Sequence, residues 1–104
     1  MFFEYVDTGS WTSSTYKSNE NDFKSIKFRQ RVARDMTGRS LNIKTLGQKV
    51  SMPIALSPIG ICGLQYANGE ILAAKAAEKM GVPFTLSTMS ICSIEDVAQN
   101  VSKP

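Results

Sequence analysis

Histidine is absent from the 104 residues of this sequence. Because histidine is the side chain that most often acts as a general base near neutral pH, these residues cannot complete a histidine-dependent active site. Cysteine is scarce, since Cys62 and Cys92 are too few for a disulfide framework, and we expect two reduced thiols. The apolar runs are far shorter than a bilayer requires, and the opening residues lack the pattern of a secretory signal. Disulfide-stapled and membrane-spanning classes are therefore not expected.

The composition is that of a small globular domain. Hydrophobic residues make up 42% of the chain and charged residues 20%, a balance unlike that of disordered proteins. A chain of 104 residues holds one such domain and no more. Residues Met1–Tyr5 are already patterned like the end of a helix. We therefore expect that residues preceding them are missing from this chain.

Positive charge is concentrated in one segment of a chain whose formal net charge is +3. Asp35 is the only acid among six basic residues, which are Lys24, Lys27, Arg29, Arg31, Arg34 and Arg39. No nucleic-acid motif and no repeated aromatics between the charges accompany them, so we expect no nucleic acid partner. We interpret this basic segment as a solvated or chain-packing face; binding to acidic lipid or to another protein is the alternative.

Three segments follow one another along the chain. Residues 1–40 are predicted to hold a first helix and then a loop, with Gly9-Ser10 and the Ser/Thr-rich stretch 12–15 ending the helix. Residues 41–52 alternate apolar and polar side chains around a turn at Gly47-Gln48, which predicts a β-hairpin with one buried face. Residues 53–104 read twice as strand, small-residue loop and helix, and are predicted to form two βα units.

Each predicted βα unit opens with a short strand of the kind buried on both faces, Ile54–Leu56 in the first and Phe84–Ser87 in the second. The first helix is predicted from about Gly69 to Met80, because Gly81 is a favourable residue just past a helix end. Ser93 is predicted to cap the second helix. Four charged residues of the first helix are predicted to face water: Glu70, Lys75, Glu78 and Lys79.

Strand, helix, strand and helix at this spacing imply parallel strands joined by right-handed crossovers. Two such units do not close a sheet, so we expect an α/β protein that forms the N-terminal portion of a (β/α)₈ TIM barrel of about 250 residues. The hairpin suits a plug across the barrel bottom. A doubly wound sheet is the rival fold, but Ser57–Gly63 lacks the glycine-rich phosphate fingerprint expected after its first strand.

In a barrel, chemistry belongs at the C-terminal ends of the strands. Two loops meet that condition, Ser57–Gly63 with its proline and glycines and Ser87–Cys92 with its hydroxyls. Small residues and hydroxyls suit a planar heteroaromatic cofactor that approaches the backbone closely. Composition alone leaves ordinary turn chemistry as the alternative.

Four blocks of the chain resemble the FMN-dependent α-hydroxy acid dehydrogenases and oxidases. They are Phe28–Val32, Met52–Gly63, Gly69-Glu70 with the Ala-rich helix, and Phe84–Ala98. Within that family the likeness is greatest to bacterial members that oxidise L-lactate. The resemblance covers essentially the whole chain and corresponds to the N-terminal portion of such an enzyme.

The resemblance implies roles for individual residues. Tyr5 matches a substrate-contacting tyrosine, although Thr8-Gly9-Ser10 replaces the commoner small-Gly-Ala that follows it in the family. Pro58, Ile59 and Gly60 match the segment whose backbone runs beside the flavin ring. Ser87 matches the hydroxyl that hydrogen-bonds FMN. No metal is implied.

The resemblance also implies oxidation of a small (S)-2-hydroxy acid, L-lactate, to a 2-oxo acid with reduction of FMN. The catalytic histidine and the substrate-binding arginines of the family come from later strands, so this chain carries no catalytic residue, its FMN site is incomplete, and we expect it to be inactive alone. A second chain would supply the rest of the barrel. The complete protein is expected to be a homo-oligomer in the cytoplasm, with peripheral contact to the inner face of the membrane.

Two alternatives stay open. One is a non-catalytic remnant that binds through its basic segment or its open strand edge. The other, within the same family, is an enzyme that acts on glycolate or mandelate, because loops beyond these residues largely set the size of the substrate. The identity of the electron acceptor is also left open.

Overall fold

A computed structural model describes residues 2–102 of the chain. They divide into two compact units, one up to residue 37 and one from residue 38. The helical pattern expected at Met1 lies outside the described residues.

The first unit contains two α-helices and a short 3₁₀ helix. Helix α1 spans Phe2–Asp7, α2 spans Ser14–Asn21, and the 3₁₀ helix spans Asp22–Ser25. The first helix ends before Gly9-Ser10 as predicted, but the loop predicted after it was wrong over residues 14–25, which are helical. Helix α2 is polar all round and buries no residue, so it carries none of the apolar periodicity by which a helix is recognised in a sequence.

Residues 26–42 form neither helix nor strand, and every one of them is exposed. Most of the basic segment lies here, together with a fully exposed Phe28 side chain. Local order comes from Asp35, whose carboxylate accepts the N–H and the hydroxyl of Thr37 at 2.8 Å each. These two hydrogen bonds lower the pKa of Asp35.

The predicted β-hairpin is confirmed in the second unit, but its predicted buried face is not, since Val50 is buried whereas its cross-strand partner Ile43 is 47% exposed. Strand β1 (Ile43–Thr45) pairs antiparallel with β2 (Gln48–Val50), and Ile43 lies opposite Val50. The turn falls at Leu46-Gly47, one residue before the predicted Gly47-Gln48. Both turn residues have positive φ, 48° and 81°, a geometry whose twist matches that of the strands in two-residue hairpins.

Three helices follow the hairpin. Helix α3 (Cys62–Gln65) is a single turn that was not predicted. Helix α4 (Gly69–Met80) has the predicted bounds and ends at Gly81, whose left-handed conformation lets its N–H donate to the Ala77 and Glu78 carbonyls. Helix α5 (Ile94–Gln99) is capped by Ser93 as predicted.

The α5 cap is reciprocal. The Asp96 N–H donates to the Ser93 hydroxyl at 3.0 Å, and the Ser93 N–H donates to the Asp96 carboxylate at 3.3 Å. Each bond satisfies a backbone donor that the first turn of a helix leaves unpaired. The start of α5 is therefore fixed at Ser93.

The two predicted barrel strands pair in parallel, but only over one bridge, between Leu56 and Phe84. The Leu56 N–H donates to the Pro83 carbonyl at 2.9 Å, and the Thr85 N–H donates to the Leu56 carbonyl at 3.1 Å. Their predicted burial on both faces was wrong for both strands. Ile54–Leu56 are all exposed, with Ile54 at 55% and Leu56 at 36%, and Phe84–Ser87 are half-buried or exposed.

The buried core of the described residues is small. It consists of Val50 from β2, Ala74 and Ala77 from α4, and Val97 from α5. The end of the hairpin is fastened to the end of α4, because the Ser51 N–H donates to the Gly81 carbonyl at 2.9 Å and the Ser51 hydroxyl donates to the Met80 carbonyl. This contact positions the hairpin beside the N-terminal ends of the paired strands. Among the described residues the longest helix has 12 residues, and none is long and apolar enough to cross a bilayer.

The hairpin turn generates a stability prediction. Leu46 is 94% exposed and holds a left-handed conformation that an ordinary L-residue adopts at a cost. Asparagine tolerates this conformation, so Leu46→Asn should raise the free energy of unfolding by about 1 kcal/mol, measured by urea denaturation and circular dichroism. Leu41→Asn, at an exposed position without positive φ, is the control. An equal gain in the control would contradict the explanation.

Candidate functional site

Two loops lie together at the C-terminal end of the Leu56–Phe84 pair. We name them the first loop (residues 57–68) and the second loop (residues 87–93). The Ile61 N–H in the first donates to the Met89 carbonyl in the second at 2.8 Å. The convergence expected of loops that follow neighbouring parallel strands is therefore present in this unit.

Gly60 and Ser87, both predicted to contact the cofactor, are neighbours. A Cβ placed on Gly60 would lie 3.9 Å from the Ser87 Oγ and 3.4 Å from the Met89 Cβ. The Ser87 hydroxyl oxygen accepts the Met89 N–H at 3.1 Å, which leaves its own hydrogen available to donate. Pro58 and Ile59 precede Gly60 on the same loop, and both are exposed.

Glu70 is the functional residue that the sequence interpretation missed. It was predicted to face water, but only 2% of it is exposed. It follows Asn68 and Gly69 at the start of α4 and shares one helix face with the buried Ala74 and Ala77, at spacings i, i+4 and i+7. That spacing could have indicated that Glu70 is buried, but the charge of its side chain favoured the opposite prediction.

The Glu70 carboxylate bridges the two loops. Its Oε1 accepts the N–H of Gly63 from the first loop and the N–H of Ile91 from the second, each at 3.0 Å. Its Oε2 is buried and accepts no hydrogen bond from an N–H or O–H group among the described residues; the Cys92 thiol is the other group that interacts with this carboxylate. The bridge leaves no room for a side chain at Gly63, because a Cβ there would lie 2.8 Å from the Ile91 Cβ and 2.9 Å from the Glu70 Oε2.

These contacts determine the protonation state of the Glu70 carboxyl group. Burial raises the pKa of Glu70, but the N–H groups of Ile91, Gly63 and Glu70 itself, together with the Cys92 thiol, outweigh it and bring the pKa to about 2. The same interaction with Glu70, with burial, raises the pKa of Cys92. The carboxylate is therefore charged at neutral pH, and the thiol stays protonated and weakly nucleophilic.

A cavity of about 220 Å³ lies between the paired strands, the loops and α4. Its wall contains Ser57, Ile59 and Cys62 from the first loop and Ser87 from the second. Glu70 and Ala73 of α4 complete it. Two of the residues predicted for cofactor contact thus line one mostly apolar space.

Tyr5, the residue predicted to contact substrate, lies on α1 in the first unit. Its side chain is 71% exposed, and its ring stacks on that of Phe2 with centroids 6.4 Å apart. The loops belong to the second unit, so the place of Tyr5 at a shared site stays a prediction.

The chain is similar to known proteins in family, in sequence and in structure. A profile of the FMN-dependent dehydrogenase family matches residues 1–104. The L-lactate dehydrogenase of Vibrio parahaemolyticus serotype O3:K6 is 50% identical over the 104 residues, which are 100% of this chain and 27% of that protein. The chain thus spans little more than a quarter of the length of this curated relative.

Two solved structures resemble the fold closely. A soluble mutant of the membrane-associated (S)-mandelate dehydrogenase from Pseudomonas putida superposes with a TM-score of 0.87 at 35% identity, over 97% of this chain and 29% of that one. A mandelate oxidase mutant with a monooxide FMN adduct gives 0.85 at 29% identity, over 95% of this chain and 32% of that one. Both are mandelate enzymes by name, and the second holds an FMN adduct.

The low pKa of Glu70 predicts how stability depends on pH. Because the folded-state pKa is about 2 and the ordinary value is 4.5, the ionised bridge contributes stability above pH 4.5 that is lost as the pH falls toward 2. Urea midpoints measured at successive pH values should fall steeply for the wild type and flatten for Glu70→Gln. Glu95→Gln, at an exposed carboxylate of α5, should keep the wild-type slope; matching slopes in all three chains would refute the assignment.

Proposed function

Because this chain belongs to the FMN-dependent dehydrogenase family, we propose that it contributes the first two βα units, and one wall of the FMN site, to an enzyme that oxidises L-lactate to pyruvate. The observation that carries the proposal is the adjacency of Gly60 and Ser87 where two parallel-paired segments end. The similarity to an L-lactate dehydrogenase over all 104 residues supports the choice of substrate.

The residues at this end of the strands fit a flavin ring. Within residues 2–102 the N–H groups of Ile59 and Gly60 donate to no acceptor, so both are available to a ligand. Gly60 has no side chain to keep a planar ring away from them. Ser87 adds a hydroxyl with a free hydrogen beside them. Backbone donors, a glycine and a hydroxyl are the groups expected where a flat, polar-edged cofactor is bound by hydrogen bonds.

When bound, FMN supplies the acceptor for the two electrons that leave the hydroxy acid. In our proposal the Ile59 and Gly60 N–H groups donate to the edge of the ring, and Ser87 fixes its orientation. Tyr5 donates its phenol hydrogen to the carboxylate or hydroxyl of the substrate. None of these groups removes the substrate proton, and no histidine occurs among the 104 residues to do so.

The remaining barrel strands are proposed to come from a second chain or from further sequence. Exposed apolar side chains on the first strand support this, since Ile54 and Leu56 would be covered by neighbours in a closed barrel. A second cavity of about 670 Å³ is lined by the hairpin, α4, Phe84–Leu86 and α5. The hairpin would then close the bottom of the barrel.

The same relationships lead to further proposals about the substrate, the location and the oligomeric state of the complete enzyme. Mandelate and glycolate are the alternative substrates, the first because both similar structures are mandelate enzymes by name. A peripheral contact with the inner face of the cytoplasmic membrane is supported by the membrane-associated (S)-mandelate dehydrogenase and by the exposed basic segment. Homo-oligomerisation of the complete enzyme is part of the proposal and rests on the family alone.

Complementation tests the proposed function. The purified 104-residue chain should show no lactate-dependent reduction of a dye, because it has no histidine. Mixing it with FMN and a chain that carries the rest of a family barrel should give flavin bleaching by L-lactate. Mandelate and glycolate serve as competing substrates, and the second chain alone is the control. Turnover by the isolated chain, or no bleaching in any mixture, would refute the proposal.

The Ser87 hydroxyl provides a sharper test of the FMN wall. Ser87→Ala removes one neutral hydrogen bond to the cofactor, so the FMN dissociation constant of the complemented enzyme should rise about 2- to 12-fold. Thr88→Ala is the matched control, because this exposed neighbour loses the same hydroxyl. Affinities are measured by quenching of flavin fluorescence. An equal change in both variants would remove Ser87 from the site.

A further inference from the structure

Glu70 joins two stretches of chain that are distant in sequence. Its hydrogen bonds span 7 residues to Gly63 and 21 residues to Ile91. Gly63 lies three residues after Gly60, and Ile91 lies four residues after Ser87. One carboxylate oxygen therefore bonds to the backbone just beyond each of the two positions that the proposed FMN wall uses.

We propose that Glu70 is a positioning residue for this wall, which sets the spacing between the first and second loops and so between Gly60 and Ser87. The inference rests on the proposed function and deepens it. Glu70 is not a catalytic residue, because its two hydrogen bonds go to the backbone and it acts through the loops.

Hydrogen bonds to a carboxylate are about twice as strong as those between neutral groups, and both of these are partly buried. Among the described residues, the two loops are connected directly by the Ile61–Met89 backbone hydrogen bond and indirectly by the two hydrogen bonds to the Glu70 carboxylate. If the carboxylate is removed, the loops keep one neutral link and can separate.

The bridge is also specific in geometry. The buried Oε2 lies against Gly63, where even a methyl group would be within 2.9 Å. A glutamine in its place would put an amide group there with no acceptor among the described residues. Glu70→Gln therefore keeps the shape of the side chain while removing its charge, and one buried donor is left unsatisfied.

The first experiment uses the isotope-labelled 104-residue chain without FMN. Through-hydrogen-bond scalar couplings should connect the Glu70 carboxyl carbon to the amide nitrogens of both Gly63 and Ile91. This measurement needs no variant, so it decides the bridge even if a variant fails to fold. Absence of either coupling would overturn the inference.

Amide hydrogen exchange then separates positioning from general stability. In Glu70→Gln, exchange should accelerate about tenfold or more at Gly63, Ile91 and their loop neighbours, and much less in the middle of α4. Glu95→Gln should leave the exchange of both loops at wild-type rates. Equal acceleration throughout the second unit, or acceleration in one loop alone, would show a merely structural role and contradict the inference.

The last arm measures FMN affinity in the complemented enzyme. Glu70→Gln should raise the dissociation constant about tenfold, whereas Glu95→Gln should stay within about twofold of the wild type. Unchanged affinity in Glu70→Gln, with wild-type binding intact, overturns the inference and leaves the proposed function standing. If the wild-type mixture binds no FMN, the proposed function fails, and the couplings and exchange rates still decide whether Glu70 holds the loops together.

Discussion

The second unit depends on one buried charge. A carboxylate removed from water is tolerated only where hydrogen-bond donors replace the lost hydration, and Glu70 finds them in the backbones of two different loops. The loops cannot separate without leaving that charge unpaired. The absence of a side chain at Gly63 follows from the same contact, since a Cβ would collide with both Ile91 and the carboxylate. The buried charge of Glu70, the glycine at position 63 and the spacing of the two loops therefore all depend on the same contact.

Local signals in the sequence were sufficient for several elements. The bounds of α4, the Gly81 terminus and the Ser93 cap were predicted correctly, because each depends on backbone preferences of a few adjacent residues. The hairpin was also predicted, with its turn misplaced by one residue because Leu46 is not a residue that favours positive φ. Helix α2 was missed because a short polar helix without a buried face has no periodic pattern.

What the sequence could not supply came from contacts between distant residues. The burial of Glu70 requires donors from Gly63 and Ile91, and neither is recognisable until the loops are placed together. The cofactor residues came from family resemblance, and the family is now established by a match over all 104 residues. Gly60 and Ser87 lie next to each other, but their use by the cofactor, like the functions of Tyr5, Pro58 and Ile59, stays a prediction that rests on the resemblance.

The small core has an energetic consequence. Its four buried apolar side chains include two alanines, which remove little hydrocarbon from water compared with leucine or phenylalanine. Burial this slight offsets little of the conformational entropy lost on ordering the backbone. Any partner that covers Ile54 and Leu56 would bind the folded state and not the unfolded one. Folding and assembly are then linked by mass action, so the melting temperature of the chain becomes a function of partner concentration.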